Sequence, residues 1–352
     1  MKKILEVIPN LGNGGAEKFV YDLCKNIDRT KFDLTLLLYY NGEDSNYYDD
    51  LVKSGIKIIC LNKKQGLQLS TFLKVYSIVK EVKPDVIHTH LYVNLYLLPY
   101  YLLHSKQKGV HTLHNIAEKE QEKSYRKIMK YLYKHRRVVP VAIGKSVADS
   151  VKDEYNIEEF PTIYNGIDTK KFVVSNTKKP HKIKNFIAVG RYAKQKNYPL
   201  MINAFKKAFD VDNDMSLTIL GKGEFYDDVH NQIVELGLEN VVSQKGNVSN
   251  VDEYLQNADC FIMSSDYEGM PLSVLEAMSC GLPIISTKAG GVVDIVKDGE
   301  NGLLVEVGDE LGLAKAIMAM DENKIESYGK KSLEESEKYD IRLCVKQYEE
   351  LF

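Results

Sequence analysis

Short runs of apolar and β-branched residues recur along the first half of the chain, and amphipathic segments lie between them. Each run has the length of a β-strand, and each intervening segment is long enough to return the chain over a sheet through a helix. The pattern therefore predicts a parallel sheet that is covered by helices on both faces. Strands are predicted at residues 2–8, 32–40, 56–61, 84–90, 109–114, 138–144 and 161–166.

The alternation stops at residues 173–184, whose sequence VVSNTKKPHKIK is polar and basic and contains a proline. A segment of this composition is typical of an exposed connection between domains. The alternation then resumes, which predicts a second α/β sheet, with an N-terminal domain at 1–172 and a C-terminal domain at 185–337. The second set of strands is predicted at 185–190, 216–221, 240–246, 260–265, 283–287 and 302–307.

Length, charge and cysteine content narrow the class of protein. A chain of 352 residues is too long for one ordinary compact core, which agrees with two domains. A formal net charge of −2 excludes the strongly basic surface that general nucleic-acid binding requires, so no nucleic-acid partner is expected. The five cysteines are scattered and form no Cys-x-x-Cys pair, so neither a disulfide framework nor a zinc knuckle is indicated. A reducing, cytoplasmic environment is expected.

Two apolar segments raise the question of export or membrane insertion. The N-terminal sequence MKKILEVIPNLGNGG begins like a secretion signal, but Glu6 and Pro9 interrupt its apolar part and no small-residue cleavage site follows. The most apolar segment, 91–104, contains Asn94 and Pro99 and falls short of the roughly 20 residues that a membrane span requires. We interpret the first segment as a β-strand and the second as a buried helix.

A glycine-rich loop follows the first predicted strand. In a parallel α/β sheet, ligands bind beyond the carboxyl ends of the strands, so such loops are the places to search for chemistry. Gly12, Gly14 and Gly15 precede a helix that is predicted to start near Ala16. These glycines would permit positive φ angles and close approach of phosphate or sugar oxygens to the backbone. The loop lacks the Gly-x-Gly-x-x-Gly spacing of a dinucleotide site, and a simple strand-to-helix turn is the commoner explanation.

Two cations follow the first strand of the second domain, in the sequence FIAVGRYAKQKNYPLMINAF. Arg191 comes directly after the strand, and Lys196 lies five residues further on, at the start of a predicted helix. A guanidinium, an ammonium group and a helix N-terminus all favour the negative charge of a diphosphate. A solvated basic turn is the alternative, but the strand-terminal position of Arg191 favours a ligand site.

Two carboxylates, Glu268 and Glu276, stand eight positions apart in the sequence SSDYEGMPLSVLEAMSCGLPIIST. The stretch between them leads from a strand into a helix, with Pro271 at a first-turn position. Glu276 could accept hydrogen bonds from vicinal hydroxyls such as those of ribose, while Glu268 would reach a polar group nearer the phosphates. Backbone N–H groups of residues 270–273 would remain available to anionic oxygen. Two unrelated surface carboxylates are the alternative explanation.

Taken together, these motifs resemble those of the retaining nucleotide-sugar glycosyltransferases with the GT-B fold, glycosyltransferase family 4, also called group 1. The Glu-x7-Glu element, the Arg and Lys after the first strand of the second domain, and the N-terminal Gly-Gly loop occur in the family's order. The segments GVHTLHN, YNGID, GKGE and KAGGVVDIVKDGENGLLVEVGD extend the resemblance over nearly the whole chain. The resemblance implies two Rossmann-like domains that face each other across a cleft, with a C-terminal helix at about 338–352 returning to the first domain.

The resemblance also implies roles for individual residues. Arg191 and Lys196 would hold the donor diphosphate. Glu276 would bind the ribose hydroxyls, and Glu268 would bind the hydroxyls of the donor hexose. The implied catalytic residues are Arg191, Lys196, Glu268 and His114. The implied donor-binding residues are Gly14, Gly15, Gly190, Arg191, Lys196, Glu268, Gly269, Met270, Pro271, Leu272 and Glu276.

His114 in the sequence GVHTLHN matches the family histidine that lies near the transferred sugar. His88, His90 and His111 are the competing candidates, and histidines at strand ends are more often structural. The family loop often carries Pro-Glu at the position of Val293 and Asp294, and this departure weakens any role for Asp294.

The activity implied by the resemblance is transfer of a hexose from a nucleoside-diphosphate sugar, expected to be a UDP-sugar, to a hydroxyl acceptor. Retention at the anomeric carbon is expected, in the synthesis of cell-surface polysaccharide or glycolipid. No residue suggests a covalent nucleophile. The resemblance implies the same-face mechanism favoured for retaining enzymes of this fold, to which the protein would contribute mainly electrostatic stabilisation. A nucleotide-sugar 2-epimerase and a non-catalytic nucleotide-sugar-binding partner are the alternatives, and the intact set of donor-binding residues argues against the second.

Neither a metal ion nor another cofactor is expected, and the nucleotide sugar would be a co-substrate. Asp210, Asp212 and Asp214 in the sequence DVDND resemble the Asp-x-Asp cation site of the other major glycosyltransferase fold. The segment, however, joins a helix to the amino end of a strand, away from the ligand-binding edge of the sheet, and it lacks the glycine of a calcium loop. The reaction is therefore expected to be metal-independent.

The segment 123–137 predicts a basic amphipathic helix. Such a helix could contact anionic lipid peripherally on the inner membrane face, or a phosphorylated acceptor. A core-packed helix with a solvated lysine face is the commoner arrangement. The apolar face is predicted to contain Tyr125, Ile128, Met129, Leu132 and Tyr133, and the basic face Lys123, Lys127, Lys130 and Lys134.

Overall fold

The computed structural model describes residues 1–12, 14–41, 45–175 and 184–352, and of Asn46 the backbone alone. Positions 176–183 of the predicted linker at 173–184 therefore lie outside the described residues. The strands are β1 Lys2–Ile8, β2 Phe32–Leu38, β3 Lys57–Cys60, β4 Val86–His90, β5 Lys108–Leu113, β6 Val138–Ala142, β7 Lys184–Val189, β8 Met215–Leu220, β9 Val242–Gly246, β10 Cys260–Met263, β11 Ile284–Thr287 and β12 Gly302–Val305.

One predicted strand is absent, and the others lie close to their predicted bounds. Residues 161–166 form only an isolated bridge between Ala142 and Thr162. Pro161 has no N–H group to donate, so the pairing consists of its carbonyl, which accepts from Ala142, and the N–H of Ile163, which donates to Ala142. The prediction of a strand at this position is therefore wrong.

Helices connect successive strands in both halves of the chain. They are α1 Gly15–Asn26, α2 Asn46–Lys53, α3 Leu69–Val82, α4 Asn94–Leu103, α5 Ala117–Glu120, α6 Lys123–Lys134, α7 Lys145–Tyr155, α8 Tyr198–Phe209, α9 Tyr226–Glu235, α10 Val251–Asn257, α11 Leu272–Ser279, α12 Val292–Ile295, α13 Glu310–Met318, α14 Glu322–Ser336 and α15 Ile341–Leu351, with 3-10 turns at Lys194–Lys196 and Glu337–Tyr339. The apolar segment 91–104 forms α4, in which Leu97 and Tyr101 are fully buried, so the prediction of a buried helix is confirmed. Within the described ranges, no helix has both the length and the apolar character needed to cross a membrane.

Two compact units divide the chain. Unit 1 comprises Met1–Gly166 and Ile341–Phe352, and unit 2 comprises Ile167–Asp340. The boundary follows Gly166 rather than residue 172, because residues 167–172 bond within unit 2. The carbonyl of Phe172, for example, accepts the hydroxyl of Ser279 at 2.6 Å.

The C-terminal helix α15 is part of unit 1. Gly166 packs against the start of this helix so closely that a Cβ atom at position 166 would lie 2.6 Å from the Cα atom of Ile341. Further along the helix, Tyr348 is fully buried. Unit 1 is therefore assembled from two separate stretches of the chain.

The sheet of unit 1 is wholly parallel, with the strand order β3-β2-β1-β4-β5-β6. This is the strand order of a Rossmann-type sheet. From β1 the chain adds strands outward on one side as far as β3, and from β4 it adds them outward on the other side, so the strand order reverses between β1 and β4. All of β4 and most of β1 are buried, as expected for central strands that helices cover on both faces.

The sheet of unit 2 repeats this arrangement with the order β12-β11-β10-β7-β8-β9, again wholly parallel. The order reverses between β7 and β10. Phe186, Phe205 and Ile262 belong to the buried core on one side of this sheet. Each unit therefore has a topological switch point, where ligands of such sheets bind.

Helix α6 packs on unit 1 through its apolar face. Met129, Leu132 and Tyr133 are buried, while Lys127 and Lys134 are exposed. This is the arrangement of a core-packed helix with a solvated basic face. Contact of the basic face with anionic lipid stays a prediction.

Candidate active site

The switch point of unit 2 brings two of the predicted motifs together. The loop after β7 carries Arg191 and Lys196, and the loop after β10 carries Glu268. Because the strand order reverses between β7 and β10, these two loops leave the carboxyl edge of the sheet as neighbours. Residues 72 positions apart in the sequence thereby meet.

Lys196 and Glu268 form an ion pair at this edge. The Nζ atom of Lys196 lies 2.7 Å from Oε1 of Glu268, and the two side chains are 18% and 8% exposed, respectively. At this depth each charge needs the other, because a lone charge with little access to water is strongly destabilising. A ligand at this edge would meet a cation and a carboxylate side by side.

Hydrogen bonds tie the two loops to each other around the ion pair. The N–H of Asp266 donates to the carbonyl of Gln195 at 2.8 Å, and the side chain of Gln195 donates to the carbonyl of Tyr267 at 2.6 Å. The amide of Asn197 donates to the carboxylate of Asp266 at 2.9 Å, and the hydroxyl of Ser264 donates to the carbonyl of Asn197 at 2.9 Å. Asn197 has a left-handed backbone, with φ 46 and ψ 48, which turns the chain into α8. The edge is thus preorganised before any ligand binds.

A pair of glycines supports the loop that carries Glu268. A Cβ atom on Gly291 would lie 1.5 Å from the carbonyl oxygen of Gly269, and one on Gly290 would lie 2.2 Å from that of Glu268. The N–H of Gly291 donates to the carbonyl of Glu268 at 3.1 Å. Only glycine allows two backbones to approach this closely, so the KAGG sequence fixes the position of the carboxylate loop.

Arg191 stands apart from the ion pair. It is exposed, and within the described residues its guanidinium has no hydrogen-bond or salt-bridge partner. Gly190, just before it, packs against the next strand, because a Cβ atom on Gly221 would lie 2.0 Å from the Gly190 carbonyl oxygen. The backbone position of Arg191 is therefore fixed while its five N–H donors remain available to a ligand.

Helix α11 follows the carboxylate loop. Pro271 is the N-cap residue, with φ −73 and ψ 115, rather than the predicted first-turn residue. Leu272 begins the helix, and the N-cap side chain makes no capping bond. The N–H of Val274 donates to the carbonyl of Pro271 at 3.1 Å, while the N–H groups of Leu272 and Ser273 have no acceptor within the helix. Met270 before it is buried, and Glu276 on the helix is 5% exposed. The structure thus places Glu276 in unit 2 at a depth where a carboxylate must be hydrogen-bonded.

The predicted glycine loop lies in unit 1. Gly14 is the N-cap residue of α1, with φ −91 and ψ 169, and Gly15 is the first residue of the helix. Neither these residues nor Gly12 has a positive φ angle, so the loop does not use the left-handed backbone that its glycines would permit. A Cβ atom on Gly14 would lie 2.3 Å from Oε2 of Glu17, so the glycine makes room for that side chain. A carboxylate at this position would repel a phosphate at the helix N-terminus.

His114 also lies in unit 1, directly after β5. It is partly exposed, whereas His88, His90 and His111 are fully buried. Its Nε2 atom lies 2.8 Å from Nδ1 of His90, and its ring meets the edge of the Phe19 ring at a centroid distance of 5.4 Å. Burial, and then the neighbouring His90, lower the pKa of His114 well below its ordinary value, so the ring is neutral at pH 7. Of these four histidines, the one that the resemblance singled out is the one with access to solvent.

Glu120 is a titratable neighbour of His114 that the sequence analysis missed. Its Oε1 atom accepts the backbone N–H of His114 at 3.3 Å. Burial raises the pKa of Glu120 to about 8, although hydrogen bonds from the backbone of His114 and Asn115 act in the opposite direction. The position follows the TLHN motif closely, but nothing in the polar stretch EKEQEK distinguishes one glutamate from another.

We expect Glu120 to make the protein less stable as pH rises from about 4.5 to about 8. In this window the folded protein keeps a proton on Glu120 that the unfolded chain has released, so the free energy of unfolding falls as pH increases. Glu120→Gln keeps the shape of the neutral acid and cannot ionise, so its thermal midpoint should fall less between pH 5 and pH 8, as measured by calorimetry. Glu118→Gln, at an exposed position of the same helix, is the control. Equal slopes for both variants would mean that Glu120 is ionised in the folded protein.

The aspartates of DVDND occupy the amino end of a strand, as predicted. They lie between the end of α8 at Phe209 and the start of β8 at Met215. Asp210 pairs with Lys206, and Asp212 lies 2.8 Å from Nζ of Lys184. The lysines balance these carboxylates, while metal independence of the reaction stays a prediction.

Comparison with known protein families gives two matches that follow one another along the chain. The family described as "Glycosyl transferases group 1" matches residues 169–338, and the family described as "Glycosyltransferase Family 4" matches residues 13–171. An uncharacterized glycosyltransferase of Methanocaldococcus jannaschii is 30% identical over 283 residues, which cover 70% of this chain and 69% of the relative. The chain belongs to the group 1 glycosyltransferases. The predicted family and the predicted enzyme class are thereby confirmed.

Another relative of this group 1 glycosyltransferase has a defined activity. The UDP-Gal:alpha-D-GlcNAc-diphosphoundecaprenol alpha-1,3-galactosyltransferase of Escherichia coli is 27% identical over 329 residues, covering 84% of this chain and 81% of the relative. Among solved structures, Anabaena Alr3699/HepE in complex with UDP and glucose superimposes with a TM-score of 0.85 at 20% identity, covering 100% of this chain and 99% of that one. At this identity the likeness shows the fold alone. With two Rossmann-type units, the fold of this glycosyltransferase is GT-B, as predicted.

Several residues that shape the glycosyltransferase site were absent from the predicted set. Gln195, Ser264 and Asp266 bind the two loops together, and Gly290 and Gly291 support the loop with Glu268. Their positions just after strands β7, β10 and β11 were a usable signal, because polar and glycine residues at carboxyl ends of parallel strands surround the ligand.

Proposed function

We propose that this glycosyltransferase moves a hexose from a nucleoside-diphosphate sugar to a hydroxyl group with retention of configuration at the anomeric carbon. The observation that carries the proposal is the pairing of Lys196 with Glu268 at the switch point of the unit 2 sheet, with Arg191 in the same loop as Lys196. A ligand that joins a diphosphate to a sugar needs cations for one part and a hydroxyl acceptor for the other.

We take the donor to be a UDP-sugar. The relative from Escherichia coli uses UDP-Gal, and the Anabaena structure contains UDP and glucose. In this chain, Arg191 and Lys196 would bind the diphosphate, and the first-turn N–H groups of α11 would face its oxygens. Glu276 would accept the ribose hydroxyls, and Glu268 would accept the hydroxyls of the hexose.

The proposed chemistry depends on charge that develops as the donor bond breaks. Negative charge builds up on the diphosphate, so Arg191 and Lys196 stabilise the transition state more than the ground state. The departing phosphate oxygen takes the proton of the acceptor hydroxyl, and the new bond forms on the face from which the phosphate leaves. His114 binds the transferred sugar as a neutral imidazole. The scheme requires neither a metal ion nor another cofactor.

The acceptor we propose is a glycan or a lipid-linked glycan, in the synthesis of polysaccharide or glycolipid. The relative from Escherichia coli acts on GlcNAc-diphosphoundecaprenol, an acceptor of this kind. The protein would then work in the cytoplasm, with the exposed lysines of the segment 123–137 facing anionic lipid at the inner membrane face.

A transfer assay with the purified protein and a panel of nucleoside-diphosphate sugars tests this function. We expect nucleotide release that depends on an acceptor such as a GlcNAc-diphospho-lipid, a product whose anomeric configuration by proton NMR matches that of the donor, and the same rate in excess EDTA. An inverted product contradicts the mechanism, and loss of activity in EDTA that magnesium restores contradicts metal independence.

The same assay distinguishes the two alternatives. A 2-epimerase would convert the donor sugar with no acceptor present, and a binding partner would take up the donor without releasing nucleotide. The glycosyltransferase relatives favour transfer over both alternatives.

A further inference from the structure

A row of polar side chains crosses one face of the buried sheet in unit 1. Strand pairing sets Glu6 of β1 opposite His88 of β4, and His90 of β4 opposite Thr112 of β5. Alternate residues of a strand point to the same face, so the row continues from Thr112 to His114 just beyond the end of β5. Four charged or titratable groups therefore share a surface that the fold otherwise fills with apolar side chains.

Hydrogen bonds join the row into a continuous chain that ends at His114. Oε2 of Glu6 lies 3.0 Å from Nδ1 of His88, and Oε1 of Glu6 bonds to Nε2 of His90. Nδ1 of His90 lies 2.8 Å from Nε2 of His114. At the other end, Nε2 of His88 lies 2.8 Å from the hydroxyl of Thr112.

Aromatic rings cover the chain except at its His114 end, which is partly exposed. The ring of Phe19 on α1 contacts the rings of His90 and His114, at centroid distances of 5.8 and 5.4 Å. Tyr348 on α15 lies over His88 at 5.1 Å, and its hydroxyl bonds to Thr112 at 2.8 Å. Glu6 and His90 are 0% exposed. In such a setting each buried polar group depends on its protein partner, because water does not reach Glu6 or His90 to replace it.

Glu6 fixes the direction of these hydrogen bonds. Burial alone would raise the pKa of Glu6, but His88 and His90 outweigh it and lower the pKa to about 2, so the group is a carboxylate. A carboxylate only accepts hydrogen bonds, so Nε2 of His90 must carry a proton. Burial, and then His88, lower the pKa of His90 to about 4, so the ring is neutral and its Nδ1 atom carries no proton.

The unprotonated Nδ1 atom of His90 determines where the ring proton of His114 lies. Because Nδ1 of His90 can only accept, Nε2 of His114 must donate to it. His114 is neutral at pH 7, so its single ring proton is on Nε2 and its Nδ1 atom is a bare acceptor. Across the part of the chain that the structure describes, this Nδ1 atom has no hydrogen-bond partner.

We propose that Glu6, acting through His90, holds His114 as its Nε2–H tautomer, so that Nδ1 of His114 accepts a hydrogen bond from a hydroxyl of the transferred sugar. Glu6 and His90 are then positioning residues, and His114 is the group that touches substrate. The consequence for substrate rests on the proposed function, whereas the tautomer is a property of the ligand-free protein.

The spacing of three of these groups would also suit a cation. Glu6, His88 and His90 place one ligand atom each within 4.8 Å of one another. Both carboxylate oxygens, however, already bond to the nitrogens opposite them, and the second nitrogen of each ring bonds to Thr112 or His114. Each potential ligand atom of Glu6, His88 and His90 is therefore already hydrogen-bonded within the protein. The experiment below includes a measurement of bound metal.

Nitrogen NMR of protein labelled with ¹⁵N-histidine measures the tautomer directly. The signals of His114 are assigned as those lost in His114→Gln. We expect the Nε2–H tautomer in the ligand-free wild-type protein. In Glu6→Leu, which offers no acceptor, and in His90→Phe, which cuts the chain of hydrogen bonds, His114 should give signals of both tautomers. The kcat for transfer should fall about 10- to 100-fold in these variants, the scale of losing a partner that orients a functional group, with little change in the donor KM.

His111→Phe is the matched control. His111 is also fully buried, but it bonds to Thr89 and Asn94 and not to the row that ends at His114. This variant carries the same change in side chain, and we expect it to keep the wild-type His114 tautomer and most of the wild-type kcat.

Three results would overturn the inference. They are an Nδ1–H tautomer in the wild-type protein, the wild-type tautomer in both Glu6→Leu and His90→Phe, or stoichiometric metal in the purified protein by mass spectrometry. The first requires only the assignment variant His114→Gln and the third requires no variant, so the inference stays testable even if Glu6→Leu or His90→Phe fails to fold. If the expected tautomer is found but no donor is turned over, the proposed function fails, while the control of the His114 tautomer by Glu6 and His90 stands. If transfer occurs with the opposite tautomer, the inference alone fails.

Discussion

Replacing Arg191 with alanine is expected to lower kcat for sugar transfer by about 100-fold or more, the scale of losing one preorganised donor to a developing anion. The guanidinium is exposed and has no partner within the described residues, while the close contact between Gly190 and Gly221 fixes its backbone. Its N–H donors are therefore available to the proposed diphosphate ligand. Because the negative charge on the diphosphate grows as the glycosidic bond breaks, the loss should appear in kcat more than in the donor KM. Initial rates of nucleotide release over a range of donor concentrations measure both constants.

Lys194→Ala is the control for this experiment. Lys194 is an exposed cation in the same loop, at the start of the 3-10 turn. Its loss changes the net charge of the loop by the same amount, so a similar fall in kcat for both variants would show a general field effect. An Arg191→Ala enzyme with an unchanged kcat and a raised KM would assign Arg191 to ground-state binding alone.

Gly291→Ala is expected to damage both stability and activity. The new methyl group would lie 1.5 Å from the carbonyl oxygen of Gly269, a backbone atom that cannot swing aside like a side chain. Relieving the overlap must displace the loop that carries Glu268. We expect the free energy of unfolding to fall by about 3 kcal/mol, the upper end for overpacking. We expect kcat/KM to fall by about 100-fold, since displacements near 1 Å have that effect on reactions that depend on positioning.

Gly299→Ala separates the steric effect from the general effect of losing a glycine. Gly299 has a φ angle of +78 and no atom within 4 Å of its Cβ position, so alanine adds only the strain of a left-handed backbone. We expect a stability loss of about 1 kcal/mol with normal activity. Urea unfolding followed by circular dichroism gives the first quantity, and the transfer assay gives the second. Equal losses for the two variants would contradict a supporting role for Gly291.

The strands could be predicted because a buried parallel strand needs an apolar run and little else. The run at 2–8 predicts the bounds of β1 directly, and Pro9 and Asn10 mark its C-terminal end. The predicted strand at 161–166 failed because its β-branched residues satisfy the same pattern, while Pro161 limits the pairing. A pattern of hydrophobicity contains no information about which neighbour will supply the hydrogen bonds.

Site residues could be predicted from the sequence only where they follow a predicted strand. Lys196 and Glu268 follow strands β7 and β10, and the structure joins them. In the sequence, Glu6 stands out only as a charge that interrupts an apolar run. Its two histidine partners lie more than eighty positions away and become neighbours through the register of β1 with β4. The tight contact of Gly291 with Gly269 depends likewise on a backbone approach that no spacing in the sequence encodes.

The division of unit 1 into two stretches has a consequence for biosynthesis. Unit 2 is one continuous segment, so it can complete its fold as soon as it has left the ribosome. Unit 1 is translated first but finishes second, because the helix that supplies Tyr348 emerges only after all of unit 2. During that interval the face of the nascent N-terminal sheet around His88 and Thr112, which this helix later covers, is open to chaperones. We therefore expect unit 1 to be most exposed to misfolding before its last helix has been translated.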